Sequence, residues 1–283
     1  APAPFTTSSM QQDASNKLGF SSPETMSLAQ HLYEGIETEN GDHIAFITYM
    51  RTDSVRISAE AQQSALARIR EVYGDEYAPE KPNFYATKKG AQDAHEAVRP
   101  IDLSMTPEKA KKLLDRKHFA LYKLIYERFL ASQMAEAKYN STQMEIDNSG
   151  YIFKASGRVL LFAGYTKIYQ DEDEPSSSKL LPDLKEGDTL DLVSMNKEQK
   201  FTKPPLRYTD ASLVKAMEEK GIGRPSTYAT IISKLNQKYL KKDGKYMLPA
   251  PVAYDVVDML VKCFQDIMDV GFTAGMGNKL DGI

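Results

Sequence analysis

The sequence predicts a multidomain chain of mixed α and β structure: a mainly helical domain over residues 1–135, a β-rich domain over 136–203, and part of a second helical domain over 204–283. Three observations carry this. Apolar residues recur at helical spacing up to about residue 140, β-branched and aromatic runs broken by Gly-containing turns follow, and helical spacing returns from Asp210. The length of 283 residues suits two or three domains, and 41% hydrophobic content is enough for packed cores.

Taking the elements in order, Ser8 or Ser9 is placed to cap a first helix. Leu28, His31, Leu32 and Ile36 mark a second, and Ala65, Ile69 and Val72 a third. Residues 75–107, rich in Pro, Lys and Gly, read as loops around a short helix. From Lys109 the helical period runs through Leu113, Phe119, Leu121, Leu124, Ile125 and Phe129. Residues 142–146, 151–156 and 158–162 then read as three strands joined by Asp-Asn-Ser-Gly and Ser-Gly turns. The segment QDEDEPSSSK at 170–179 has the composition of a flexible acidic linker, and 189–195 reads as one more strand. Residues 211–220, 228–240 and 252–268 are expected to be helical.

Composition narrows the function classes. A lone Cys263 allows no internal disulfide and no Cys-based zinc site, which points to a reducing, cytoplasmic setting. The longest apolar runs, such as 159–164, fall far short of the roughly 20 residues needed to span a bilayer, so no membrane partner is expected. The start, Ala-Pro-Ala-Pro-Phe, reads as a cut inside a longer protein. The formal net charge is −3, but residues 203–245 hold ten Lys and Arg against four Asp and Glu. That local excess is a candidate polyanion surface.

Three segments could carry chemistry. In Ile47-Thr-Tyr-Met-Arg-Thr-Asp-Ser54, an extended backbone would point Tyr49, Arg51 and Asp53 to one side. A nucleophilic phenol needs a cation nearby, and Arg51 has the donor fork that suits two oxygens of a phosphodiester. The residues alone favour a plainer reading, a half-buried Tyr beside a surface Arg–Asp pair. Asp93-Ala-His95-Glu96-Ala-Val-Arg99-Pro100 would set His95 and Arg99 on one helix face at i, i+4, for phosphate binding or proton transfer, or as a plain surface His–Glu pair. Finally, Arg207-Tyr-Thr209-Asp-Ala-Ser212 leads into a helix with Thr209 as N-cap. Gly221-Ile-Gly223-Arg224-Pro-Ser226-Thr227 leads into the next. Gly turns, helix N-termini and two Arg suit phosphate, although a capped Gly turn explains the same residues.

Read together, six blocks resemble the bacterial type IA DNA topoisomerases. They are APAPFTTSSMQQDASNKLGF, ITYMRTDSVRIS, DAHEAVRP, GYTKIY, FTKPPLRYTDASLVKAMEEKGIGRPSTYATIISKL and DIMDVGFTAGM, in family order over essentially the whole chain. Met50, where topoisomerase III relatives carry Pro, favours the topoisomerase I branch. The resemblance implies that Tyr49 cuts one DNA strand through a 5′-phosphotyrosine, that the other strand passes, and that resealing relaxes negative supercoils without ATP. Arg51 and His95 would share the scissile-phosphate pocket. Thr48, Asp53, Arg99, Arg207, Thr209, Ser212, Arg224, Ser226 and Thr227 would contact DNA, preferably single-stranded.

The resemblance also implies what lies elsewhere. A Toprim domain N-terminal to these residues would bind the catalytic Mg2+, so no metal or zinc is expected in this chain, which alone would be inactive. The β-rich arch would lack the strands supplied by a preceding segment, leaving open edges for self-association. Gly275, Gly277 and Gly282 would fray a terminus the family makes helical. A noncatalytic single-strand-binding module on the same scaffold is the alternative function.

Overall fold

The computed structural model describes residues 1–37, 41–86, 95–170 and 180–280. The expected linker at 171–179, Asp93 and residues 281–283 with Gly282 lie outside the described residues. In chain order come α1 (Thr7–Asp13), continued by a π-helical turn at Ala14–Leu18, then α2 (Ser22–Glu34) and the short pair β1 (Ile36–Glu37) and β2 (His43–Ile44). Next are α3 (Ala59–Tyr73), α4 (Pro107–Ala110), α5 (Arg116–Gln133), and the long strands β3 (Lys138–Asn148) and β4 (Tyr151–Phe162). Helices α6 (Asp210–Glu219) and α7 (Tyr228–Lys238) precede the hairpin β5 (Leu240–Asp243) and β6 (Tyr246–Pro249), and α8 (Pro251–Cys263) and α9 (Val270–Leu280) complete the order.

Contacts divide the chain into two units, Ala1–Met134 with Arg207–Ile283, and Ala135–Leu206. The two helical regions that the sequence separates thus share one unit. Side chains far apart in sequence join them: Ser8 Oγ donates to Glu218 Oε2 at 2.6 Å, and the buried Asp210 carboxylate accepts from the Ser22 backbone N–H at 3.1 Å. One core gathers Phe5, Met10, Leu32, Ile47, Met50, Tyr122, Ile125 and Phe129. A second, around Val214, Met217, Tyr228, Ile232 and Met247, packs α6 and α7 against β6.

Capping explains where the helices start. Thr6, rather than Ser8 or Ser9, caps α1; Ser9 completes its capping box, and Ser8 is drawn away to Glu218. The single helix expected from Lys109 is broken because Asp115 accepts from the Lys117 and His118 N–H groups and begins α5 anew. His31, expected on the apolar stripe of α2, is exposed and meets His118, with Nδ1 and Nε2 3.1 Å apart. Thr209 caps α6 as expected, with Ser212 closing the box. Helix α9 continues through Gly271, Gly275 and Gly277 to Leu280 instead of fraying; the Arg224 guanidinium lies close to Gly277, where a methyl group would crowd it.

In the other unit the sequence predicts three strands over 142–162, and the structure has two. Ser156-Gly157 does not turn: Gly157 pairs with Thr142 inside an antiparallel ladder that closes at Asn148↔Tyr151. The turn falls at Ser149-Gly150, both with positive φ (57° and 85°), as a two-residue hairpin loop requires. Residues 189–195 are exposed coil, since no described strand lies alongside to complete a ladder. Beyond β4, Gly164 (φ 49°) sits so close to the Ala135–Glu136 backbone that an added Cβ would lie 2.4–2.5 Å from it. Gly164→Ala is therefore expected to destabilise this unit by about 2–4 kcal/mol, combining overlap with left-handed strain, as read by urea unfolding.

Candidate active site

The segment around Tyr49 is not a regular strand, because the backbone bends at Thr48, Met50 and Arg51. Its side chains nevertheless alternate: Met50, Thr52 and Ser54 are buried, whereas Tyr49, Arg51 and Asp53 are half-exposed on the other side. Two neighbours hold it. The fully buried Thr7 donates through Oγ1 to Met50 O at 2.6 Å and accepts from Thr52 N–H at 2.8 Å, while its own N–H donates to Thr52 O. On the other flank, Ile47 bridges Pro100, and Thr48 N–H donates to Arg99 O at 2.9 Å.

That pairing overturns the helix expected at His95–Arg99. The described part of this segment is extended, bridging Phe5 through Val98 and Ile47 through Pro100, and the gain from these ladder bonds outweighs local helical spacing. His95 and Arg99 consequently part company. The His95 ring lies 5.5 Å from the Tyr49 ring, centroid to centroid, and Tyr33 packs edge-on to Tyr49 at 5.3 Å. Arg99 turns instead to Glu96, 2.6 Å away, and lines a separate groove along α3.

Tyr49 is unlike the buried tyrosines. Tyr122 and Tyr126 donate their hydroxyls to Met105 O and Leu103 O, and burial pushes both phenols above the usual range. Tyr228 is pushed up to about 12 by burial, with the Glu218 and Asp53 charges adding to it and Arg224 opposing. These phenols stay protonated and structural. Among the described residues the Tyr49 hydroxyl has no hydrogen-bond partner, leaving it available to a ligand. Arg51 donates from one guanidinium nitrogen to Gln30 Oε1 at 2.9 Å, and Gln30 is itself bonded to Glu34 one turn along α2. Arg51, with donors left over from the Gln30 bond, also lines a cleft shared with Ser226.

Other sequence candidates serve the protein itself. The Thr48 hydroxyl donates to Ala97 O at 2.7 Å and accepts from Arg99 N–H. Thr209 and Ser212 cap α6, and Thr227 Oγ1 accepts from Arg224 N–H at 2.8 Å. Arg224 folds onto its own turn, donating to Gly223 O at 2.8 Å. Arg207 is exposed just before α6. Sequence reasoning missed Thr7 and Gln30; their partners lie 43 and 21 positions away, and no local pattern marks them. Among the described residues no group of three or more His, Cys, Asp or Glu side chains could hold a metal ion, and no helix is long and apolar enough to cross a membrane.

A phenol flanked by an imidazole, two residues from a guanidinium with donors to spare, has the parts of a centre for attack on a phosphodiester. The comparisons agree in kind. The sequence profile of the DNA topoisomerase family matches residues 1–283, and the chain belongs to that family. It is 48% identical over 284 residues to DNA topoisomerase 1 of Campylobacter jejuni, covering all of this chain and 40% of that protein. It is 47% identical to that of Fervidobacterium islandicum, covering 41% of it. A solved structure of full-length topoisomerase I from Thermotoga maritima matches with a TM-score of 0.86 at 43% identity, over 99% of this chain and 45% of that one. The chain thus spans less than half the length of these relatives, and shares with the solved structure a mixture of helices and small sheets.

Proposed function

We propose that the chain is the central part of an enzyme that cuts and reseals one DNA strand, relaxing negatively supercoiled DNA without ATP. The observation that carries this is the half-exposed Tyr49 hydroxyl, without a protein partner among the described residues, on a ring 5.5 Å from the His95 ring and two residues from Arg51. Tyr49 Oη attacks the scissile phosphorus and gives up its proton. The 3′-oxygen of the preceding nucleotide leaves and takes a proton, so one phosphodiester is exchanged for a 5′-phosphotyrosine. Reversal by the 3′-hydroxyl reseals the strand. Because bond energy is kept in the phosphotyrosine, no ATP is consumed. Arg51 holds the phosphate oxygens as charge builds on them, and His95 hydrogen-bonds the same group. Residues 1–135 carry the cleavage site, 136–203 form part of the arch, and 204–283 grip single-stranded DNA.

Magnesium, which the family implies, does not fit the described residues, which offer no acidic cluster; in this reading a Toprim domain outside the chain holds it. The chain alone is then inactive. Among the described residues β3 and β4 pair only with each other, and these edges, with Tyr151, Ile152 and Phe153 exposed beside them, support self-association of the isolated chain.

The test combines the chain with a Toprim-containing N-terminal polypeptide, magnesium and a single strand labelled at its phosphates. Label is expected on Tyr49 in the complete mixture and on nothing with the chain alone. Binding that persists with no adduct in the complete mixture would instead make this a single-strand-binding module. For the grip, Arg207→Ala is expected to weaken single-strand binding and lower the slope of log affinity against log salt by about 0.7, the loss of one phosphate contact. Arg224→Ala is expected to do the same while loosening the Gly221–Thr227 turn it braces. An unchanged salt slope in both variants removes these residues from the interface.

A further inference from the structure

Beside Arg51 lies a cleft of about 400 Å3 between the start of α2 and one face of α7. Its volume falls in the range, roughly 300–1,000 Å3, of sites that enclose small organic groups. Pro23, Met26, Pro225 and Ala229 provide apolar walls. Thr230, Ser233 and Gln237 repeat at three and four residues along α7 and so form a polar stripe, away from the core face of Tyr228 and Ile232. Arg51 and Lys234 add two cations, and no carboxylate lines the cleft.

Many Ser and Thr elsewhere are already engaged by the protein itself. Thr6, Ser21, Ser58, Thr106 and Thr209 cap helices, and Thr7 and Thr48 hold backbone groups. Within a helix, Ser and Thr are weak formers, and their hydroxyls commonly donate back to the carbonyl four residues earlier. Among the described residues the side chains of Thr230, Ser233, Lys234 and Gln237 make no hydrogen bond or ion pair at all. Their donors and acceptors are left for something that enters the cleft. The larger groove along α3, about 1,060 Å3, suits an anion less: its Arg68 is paired with Glu71 at 2.8 Å and Arg99 with Glu96, and Glu60 and Asp102 also line it, so Lys109 is its one cation without an ion pair among the described residues.

Apolar walls, an amide and hydroxyls able to meet a base edge, and two cations without a lining carboxylate together describe one nucleotide taken out of its stack. We propose that this cleft seats a single nucleotide of a bound DNA strand, next to the phosphate on Arg51, and selects its base through Ser233 and Gln237. The proposal rests on the strand-cleavage reading above and adds to it a determinant of base preference beside the cut.

The test measures binding of labelled oligo-dA, oligo-dC and oligo-dT 12-mers to the chain. The wild type is expected to separate the three by about tenfold or more, the scale of one bidentate base contact. Gln237→Ala and Ser233→Ala bring them to within about threefold of one another, whereas Lys234→Ala weakens all three alike and lowers the salt slope. Folding does not confuse the result: Ala is the better helix former, so the melting temperature of Ser233→Ala holds or rises while discrimination falls. Equal wild-type affinities, a ranking unmoved in both base-reading variants, or deoxynucleoside monophosphates competing as well as strands would each overturn the proposal. Adduct formation on Tyr49 is scored separately. An adduct with an unmoved base ranking sinks the cleft alone, and a ranking abolished by Gln237→Ala with no adduct sinks the cleavage reading alone.

Discussion

Tyr49→Phe is expected to abolish covalent capture of DNA and leave the protein as stable as before. The phenol oxygen is the only atom removed. Among the described residues it bonds to nothing, so its loss strands no buried partner and the stability change stays within about 0.5 kcal/mol. The Tyr33 and His95 rings keep their packing against the phenyl ring. Arg51→Ala should act differently, allowing the adduct but slowing it by about 10²–10³-fold, the scale for one preorganised donor set at a developing anion. Arg51→Lys should recover only part of that. An ammonium carries the charge but cannot reproduce a planar fork that bonds Gln30 and still has donors left over beside the cleft. Both rates are read as label transferred to protein in the complete mixture described above. Persistence of the adduct in Tyr49→Phe would move the nucleophile elsewhere.

The second large effect is expected at a residue that never touches DNA. Thr7→Val keeps the shape of a fully buried side chain but removes the hydroxyl that serves Met50 O and Thr52 N–H. Two buried backbone groups then lose a partner, at about 1–3 kcal/mol each, so a loss of roughly 2–5 kcal/mol in unfolding free energy is expected. Met50 and Thr52 bracket Arg51, so the same change should slow adduct formation under conditions where the variant is still folded. Thr7→Ser, which keeps the hydroxyl, should restore most of both losses. A Thr7→Val protein that cleaves at the wild-type rate would show that the 50–52 backbone does not depend on this anchor.

Several parts of this arrangement are legible locally. The alternation that sets Tyr49, Arg51 and Asp53 apart from Met50, Thr52 and Ser54 is visible in the residue types and survives although the backbone bends. The Thr209–Ser212 cap and the position of α6 are likewise written within four residues. The hairpin turn is less legible. Asn-Ser-Gly and Ser-Gly offer similar turn chemistry, and only the ladder that pairs Thr142 with Gly157 decides between them. The β5–β6 hairpin, formed where a helix was expected to run on to Leu240, is likewise decided by pairing, with Met247 anchored in the α6–α7 core.

The residues around His95 show the limit most clearly. Their spacing suits a helix bearing His95 and Arg99 on one face, yet bridges to Phe5 and Ile47 draw the segment out, sending His95 to Tyr49 and Arg99 to Glu96. By itself the sequence determined where most helices lie, the cap of α6, and which tyrosine and arginine stand together with reactive groups outward. Those properties depend on side chains within a turn or two of each other. Only the tertiary structure decided that Thr7, Gln30 and His95 converge on that pair, and that α2 and α7 enclose a cleft beside it. These contacts join residues tens of positions apart, and their energy comes from burial and from backbone groups that must find partners once water is excluded.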